Sequence, residues 1–368
     1  MSDKPLFPIT MYGSSISYFT GKLENYFRIK GIPYQLRALS APHCMTLVRQ
    51  NTGSTQMPAL LLGDGRWMTD STAIIQWFEN ACPTPAITPR EPLQRFFSLL
   101  LEDYADEWLW RPAMHFRWFY PEGARFAGSH LARELAADMP LPHFLKRWTI
   151  TRRQRNGYTV GDGISRDQVA GVEAILSRTL EQLEAIFTQR PFLLGTIPSL
   201  ADIAFSGPFY RHFCLDPVPA QIVRQQAPAV WEWAARLANF GRRDDAGGWL
   251  QGIPADWGPI LNEVGRHYLP YLCANVDAVA GGRRRFDANI GDVQYRGARW
   301  SKYRVWCLQR LREEYTALPE QDQQVARTLL ERHDCWEPLW RQRQLPIDDG
   351  VCAQLPFFGA EKMIDVYD

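Results

Sequence analysis

The chain has 368 residues, 46% of them hydrophobic and 22% charged, with 41 basic side chains against 40 acidic ones. That length exceeds one ordinary core and predicts two or three packed units, and the composition excludes a disordered chain. The near-cancelling charges argue against a field that gathers nucleic acid or an anionic membrane, and favour a neutral or small anionic substrate.

Ile9–Tyr12 reads as a short apolar strand, followed by a helix whose apolar positions Leu23, Tyr26, Phe27 and Ile29 recur at helical spacing. Gly31 and Pro33 end that helix, and Tyr34–Leu39 reads as a second strand, parallel to the first. A polar, glycine-containing stretch, Arg49–Gln56, comes next. Ala59–Leu62 and Arg66–Thr69 form a hairpin around Gly63-Asp64-Gly65, and Ser71–Glu79 is an amphipathic helix. The order β-α-β then β-β-α is that of a thioredoxin-like domain, and Pro83–Pro92 is a proline-rich linker out of it.

From Leu93 to Phe240 the periodicity is helical. One long helix from Pro92 carries a stripe of Phe97, Leu101, Tyr104, Trp108, Arg111 and His115, and further helices cover Arg166–Gln189, Leu200–Phe213 and Ala229–Phe240. Gly241–Gly252 has linker composition. The remainder reads as mostly helical, over Trp257–Val279, Ala298–Leu318 and Glu320–His333, with Pro270 expected to kink or break the first. Arg283-Arg284-Arg285, beside two glycines, reads as an exposed loop. The expected units are therefore 1–85, 91–240 and 241–368.

The cysteines, Cys44, Cys82, Cys214, Cys273, Cys307, Cys335 and Cys352, stand singly, without metal-ligand spacing. Neither a disulfide framework nor a metal site is expected. The stretch Met1–Pro8 lacks the character of a secretory signal, and no run of about 18 apolar residues occurs. The expectation is a cytoplasmic protein without a membrane span.

Three local features carry chemistry. Ser17 stands where the first strand passes into the first helix. There, unpaired helix N–H groups and the hydroxyl would favour a bound thiolate, although a plain helix cap is the commoner role of a serine before a helix and by itself the better reading. Gln56-Met57-Pro58 directly precedes a strand; a cis proline there would turn the Met57 backbone toward an extended peptide. Asp70-Ser71 opens the last helix of the domain, where hydroxyl and amides suit a carboxylate and Asp70 an ammonium group, an ordinary cap being the commoner alternative.

In this order and spacing, Ser17-x-x-Thr20-x-Lys22, Gln56-x-Pro58 and Asp70-Ser71-x-Ala73-Ile74 resemble the cytosolic glutathione transferases, especially the serine-type zeta and theta classes. Ser199-Leu200-Ala201-Asp202, with capping-box spacing, resembles the helix start of that family's second domain. The resemblance covers about residues 9 to 240. It implies a thioredoxin-like domain followed by an all-α domain, with glutathione as co-substrate and a homodimer. It implies that Ser17 holds the glutathione sulfur, that Met57 pairs with the cysteinyl backbone, that Asp70 and Ser71 hold the γ-glutamyl end, and that Gln56 faces the tripeptide. Met57 departs from the small β-branched residue usual there, and residues 241–368 have no counterpart in a minimal member.

For an apolar or aromatic electrophile the expected wall is Tyr104, Trp108 and Arg111, with Arg111 available for an acidic tail; bundle core for Tyr104 and Trp108, and a structural ion pair for Arg111, are equal alternatives. The leading expectation is a transferase that activates glutathione at Ser17. The alternatives are a non-catalytic protein whose extension holds a partner, and a thiol-disulfide enzyme, for which Cys44 is the nearest cysteine.

Overall fold

The computed structural model describes residues 6–242, 247–346, 352 and 354–358. Met1–Pro5, part of the stretch read as carrying no targeting signal, and residues 243–246 of the expected linker lie outside them.

The first unit runs β1 (Ile9–Gly13), α1 (Tyr18–Lys30), β2 (Tyr34–Ala38), α2 (His43–Thr52), β3 (Ala59–Leu61), β4 (Trp67–Thr69) and α3 (Ser71–Ala81). The sheet order is β2-β1-β3-β4. β1 and β2 are parallel with Ile9 opposite Tyr34, and β3 is antiparallel to both β1 and β4. Gly31 ends α1 at φ 68°, the left-handed conformation glycine adopts without steric cost. The helix α2 departs from expectation. It runs into the polar stretch after Arg49 and buries only Val48 and Thr52, too thin a stripe to read as periodic.

The helical part comprises α4 (Pro92–Glu107), α5 (Trp110–Phe119), α6 (Pro121–Glu134), α7 (His143–Tyr158), α8 (Val169–Phe187), α9 (Leu200–Pro208), α10 (Pro217–Gln226) and α11 (Pro228–Ala238). The long helix expected from Pro92 is thus two helices. Pro112 has no N–H to return to Trp108, and the chain restarts with Arg111 N–H donating to Trp108 O and Ala113 N–H to Leu109 O. That restart rotates everything after Glu107 relative to α4. At the start of α9, Ser199 and Asp202 form the expected capping box. Asp202 also accepts from the Trp233 indole at 3.0 Å, tying α9 to α11.

Residues 247–252 do not behave as a linker. Thr196 and Leu250 N–H donate to Gly248 and Leu194 carbonyls, and a Cβ on Gly195 would come within 2.3 Å of Gly248 O, so only glycine permits the approach. Beyond them lie α12 (Gly258–Glu263), α13 (Leu269–Ala280), β5 (Arg285–Ile290), β6 (Val293–Arg299), α14 (Lys302–Thr316), α15 (Glu320–Arg332) and α16 (Trp336–Trp340). Pro270 does not break its helix. A π-turn over Val264–Tyr268 shifts the bonding by one residue just upstream, with Leu269 N–H donating to Val264 O. The helix expected from Ala298 begins at Lys302, because Ala298 and Arg299 finish an antiparallel hairpin whose alternating burial hides Phe286, Ala288 and Ile290. Arg283, Arg284 and Arg285 are exposed, Arg285 as the first residue of β5.

The extension joins the same apolar core as the rest. It lies along α4, where Tyr268 and Arg310 bond the Asp103 carboxylate at 2.5 and 3.3 Å. Residues 354–358 reach back to the first unit: Thr69 N–H donates to Pro356 O at 2.7 Å, and Phe357 meets Trp77 edge to face.

Candidate functional site

A cleft lies between the sheet unit and the helices. One wall is built from the loop after β1, the turn before β3 and the start of α3, and every predicted glutathione-site residue lines it: Ser17, Gln56, Met57, Pro58, Asp70 and Ser71.

Ser17 is the N-cap of α1, with extended backbone, and its hydroxyl oxygen accepts the Thr20 N–H at 3.4 Å. The cap reading is therefore correct. It leaves the other half of the group available, because the Ser17 O–H has no acceptor among the described residues. Ser14, three residues earlier, also lines the cleft, but donates its proton to Glu134 at 2.5 Å. The neighbouring Tyr18 hydroxyl is committed to the Ala105 carbonyl at 2.6 Å. Burial, with Asp106 and Glu107 nearby, pushes that phenol well above its ordinary value.

Arg117 holds this loop in place. Its guanidinium donates to Ile16 O at 2.7 Å, to Arg211 O and to both oxygens of Asp216, at 2.8 and 3.1 Å. Burial pushes the Asp216 carboxyl up to about 6 against that arginine. Ser15, His130 and Glu134 also cluster, but they are not a nucleophile relay. Serine and carboxylate meet the same ring nitrogen, His130 Nε2, and Ser15 also bonds the carboxylate directly.

The Met57–Pro58 peptide is cis. Met57 lies two residues before the first ladder residue of β3, Ala59, so its backbone groups stand outside the ladder. Asp70 has φ 71°, unusual for a residue other than glycine, and caps α3 by accepting the Ala73 N–H at 2.9 Å. This conformation directs the chain into α3 with Ser71 and the first helical amides at the cleft.

Beneath them Lys22 is buried between Glu102 at 2.8 Å, Asp106 at 2.5 Å and Thr72 at 3.3 Å. Burial opposes its charge, but Asp106 and Glu102 outweigh it and hold the ammonium protonated. Burial pushes the Asp106 carboxyl up to about 7 while Lys22 pulls it down. Its Oδ1 has no hydrogen-bond partner among the described residues, and the residue lines the cleft.

The opposite wall corrects the expectation. Tyr104, Trp108 and Arg111 do not reach the cleft. They are buried beneath the extension, where the Arg111 guanidinium sits 3.8 Å from the Tyr271 ring centre and Tyr104 packs on Tyr268. His115 is also elsewhere, bonded to Glu173 at 3.1 Å and stacked on Phe119. The restart at Trp108 turns the next stripe inward instead, so that Trp110, Met114 and Trp118 line the cleft with Leu131, Leu135 and Tyr158. Their four-residue spacing was visible in the sequence; the rotation was not. Tyr303 of the extension completes the rim. Burial and the Asp70 carboxylate push its phenol well above the ordinary value, so it serves as a neutral hydroxyl. No sequence signal pointed to it. Cys44 is not among the cleft residues, and neither is any other described cysteine.

Residues 11–86 match the glutathione S-transferase N-terminal domain and residues 166–236 match the glutathione S-transferase C-terminal domain. The chain thus carries both domains that characterise the glutathione S-transferase family. Residues 87–165 and those after 236 lie outside both matches.

Similar solved structures include the beta-etherase LigF of Sphingobium, at 18% identity over 63% of this chain and 96% of that one, with a TM-score of 0.45. A glutathione S-transferase of Methylobacterium radiotolerans, in complex with glutathione sulfonate, has 18% identity over 66% and 99%, with a TM-score of 0.38. A theta-class enzyme of Xanthomonas axonopodis pv. citri, with glutathione bound, has 15% identity over 66% and 99%, with a TM-score of 0.41. No curated protein sequence matches the chain. Among the described residues no helix is long and apolar enough to cross a membrane.

Proposed function

We propose that the protein is a glutathione-dependent transferase acting on an apolar or aromatic electrophile in a cytoplasmic setting. The observation that carries this reading is one cleft with two chemistries. A polar wall has an uncommitted Ser17 O–H and the α3 N-terminus; a wall of Trp110, Met114, Trp118, Leu131, Leu135 and Tyr158 faces it.

The donor set fits glutathione. Ser71 and the α3 amides would hold the γ-glutamyl carboxylate, and Asp70 with Asp106 would hold its ammonium group. The Met57 backbone would pair with the cysteinyl unit and Gln56 would face the tripeptide. Ser17 would donate to the sulfur and favour the thiolate, helped by the positive end of α1. When bound, glutathione supplies the nucleophilic sulfur. A sulfur–carbon bond forms as the leaving group departs with its electron pair, and the thiol proton passes to water. The chain contributes proximity, thiolate stabilisation and a dry apolar wall.

Two other readings have less support. A thiol-disulfide enzyme needs a cysteine at the cleft, and none of the described cysteines is there. A non-catalytic partner-holding role for residues 241–368 fits poorly with an extension whose Tyr303 lines the cleft and whose helices share the main core. The test is conjugation of glutathione to a panel of aromatic and aliphatic electrophiles, with wild type beside Ser17→Ala. No conjugation with any electrophile, and no thermal shift with millimolar glutathione, would reject the proposal.

A further inference from the structure

We infer that α7 docks the protein on an anionic lipid surface. The balanced charge of the whole chain conceals a segregated segment. In the sixteen residues His143–Tyr158 there are five basic side chains, Lys146, Arg147, Arg152, Arg153 and Arg155, and no acidic one.

The same segment and its flanks carry most of the exposed large apolar groups among the described residues. Of the ten large apolar side chains most exposed among the described residues, six lie between residues 139 and 160: Met139, Leu141, Phe144, Leu145, Trp148 and Val160. Phe144 is 62% exposed and Trp148 58%. Only Gly157 of α7 is buried, so the helix presents a face that nothing among the described residues covers.

The pattern on that face selects the occupant. Exposed Leu141, Phe144, Leu145 and Trp148 follow at helical spacing and run into exposed Arg152 and Arg155 on the same side. The Arg152 guanidinium lies 5.5 Å from the Trp148 ring centre, so cation and aromatic ring share one level. Arg125 of α6 joins Arg147, Arg152 and Arg155 around a groove between the two helices. Aromatic and aliphatic side chains beside basic groups suit the headgroup boundary of a bilayer, where hydrocarbon and phosphate lie at adjacent depths. A second copy is a poor occupant, because a two-fold contact would set these basic groups against themselves. An acidic protein would have to offer its own matching apolar patch. Arg153, Gln154 and Tyr158 of α7 also line the cleft, so docking would bring its mouth near the lipid.

The test is flotation of the full chain with vesicles at about 50 mM salt, comparing pure phosphatidylcholine with a mixture holding about 30% phosphatidylserine. Binding is expected only to the anionic vesicles, and is lost at about 500 mM salt. Each basic group near the surface contributes about fivefold in affinity, so Arg147→Gln with Arg152→Gln should weaken binding about 25-fold. Phe144→Ser with Trp148→Ser should abolish stable flotation while keeping the wild-type circular dichroism and melting temperature. Absence of flotation with anionic vesicles would overturn the inference, as would equal flotation by the variants. Binding to polyglutamate but not to vesicles would assign the face to an acidic polypeptide. A concentration-dependent dimer lost in the Phe144→Ser, Trp148→Ser variant, without flotation, would assign it to self-association.

Discussion

Arg304 of the extension donates to the Glu107 carboxylate at 3.1 Å, with both side chains almost wholly buried. Glu107 is the last residue of α4 and also lines the cleft, so this ion pair joins the extension to the site beside Tyr303. Burial pushes the Glu107 carboxyl up, and Arg304 holds it down. Removing the arginine would leave a buried carboxylate uncompensated. Arg304→Met is therefore expected to lower unfolding free energy by about 3–5 kcal/mol at neutral pH. Urea denaturation checks this. A change within error would mean that Glu107 is neutral in the folded protein.

Ser14 and Ser17, both lining the cleft from the loop before α1, separate by their hydrogen bonds. Ser17 keeps an uncommitted proton, whereas the Ser14 proton goes to Glu134. Ser17→Ala is expected to lower kcat/KM for conjugation by about 10- to 100-fold, the worth of a hydrogen bond to a charged group. Loss of the α1 cap should also cost about 1 kcal/mol of stability. Ser14→Ala should act mainly through loop position and have the smaller kinetic effect. The reverse order in steady-state kinetics would move thiol activation to Ser14.

Asp106 makes folding stability depend on pH. Its carboxyl is pushed from an ordinary value of 3.8 up to about 7 by burial, so the folded state binds more protons than the unfolded state between those values. Stability contributed by the protonated form is full below the unfolded value and is lost as pH rises toward 7. Asp216, pushed up to about 6, acts in the same direction. Urea midpoints should therefore fall from about pH 5 to about pH 8, and Asp106→Asn should flatten that slope without removing the Asp216 part. An unchanged slope would show that Lys22 keeps Asp106 ionised throughout.

Trp110 and Trp108 are two residues apart and should differ in kind. Trp110 lines the cleft; Trp108 packs on Tyr271 and Tyr295 under the extension. Trp110→Ala is expected to raise the KM for the electrophile with little change in the KM for glutathione. Trp108→Ala should instead cost about 3–5 kcal/mol of stability. Paired kinetics and thermal melts distinguish them.

The β-α-β then β-β-α order was legible because period-two strands, the Gly31 stop and the Gly63-Asp64-Gly65 turn are local signals. The polar half of the cleft was legible for the same reason. Ser17, Met57-Pro58 and Asp70-Ser71 each sit at an element boundary, and boundaries announce themselves in short stretches of chain. The apolar half was not, because it depends on the direction a helix faces. Tyr104, Trp108 and Arg111 keep one face, but that face meets the extension, and it is Trp110, Met114 and Trp118 of the following helix that come to the cleft. The hairpin of β5 and β6 was hidden in the same way, since the pairing that makes it a sheet is a contact between strands.

By itself the sequence determined the thioredoxin-like unit and the helical character of most of the remainder, which follow from local backbone preference and spacing, and through the family resemblance it pointed to the residues on the polar wall. Tertiary structure decided which aromatic residues face the cleft, that Arg117 pins the Ser17 loop, and that Tyr303 arrives from the extension. Those depend on how distant segments pack, and packing is settled by the whole core at once.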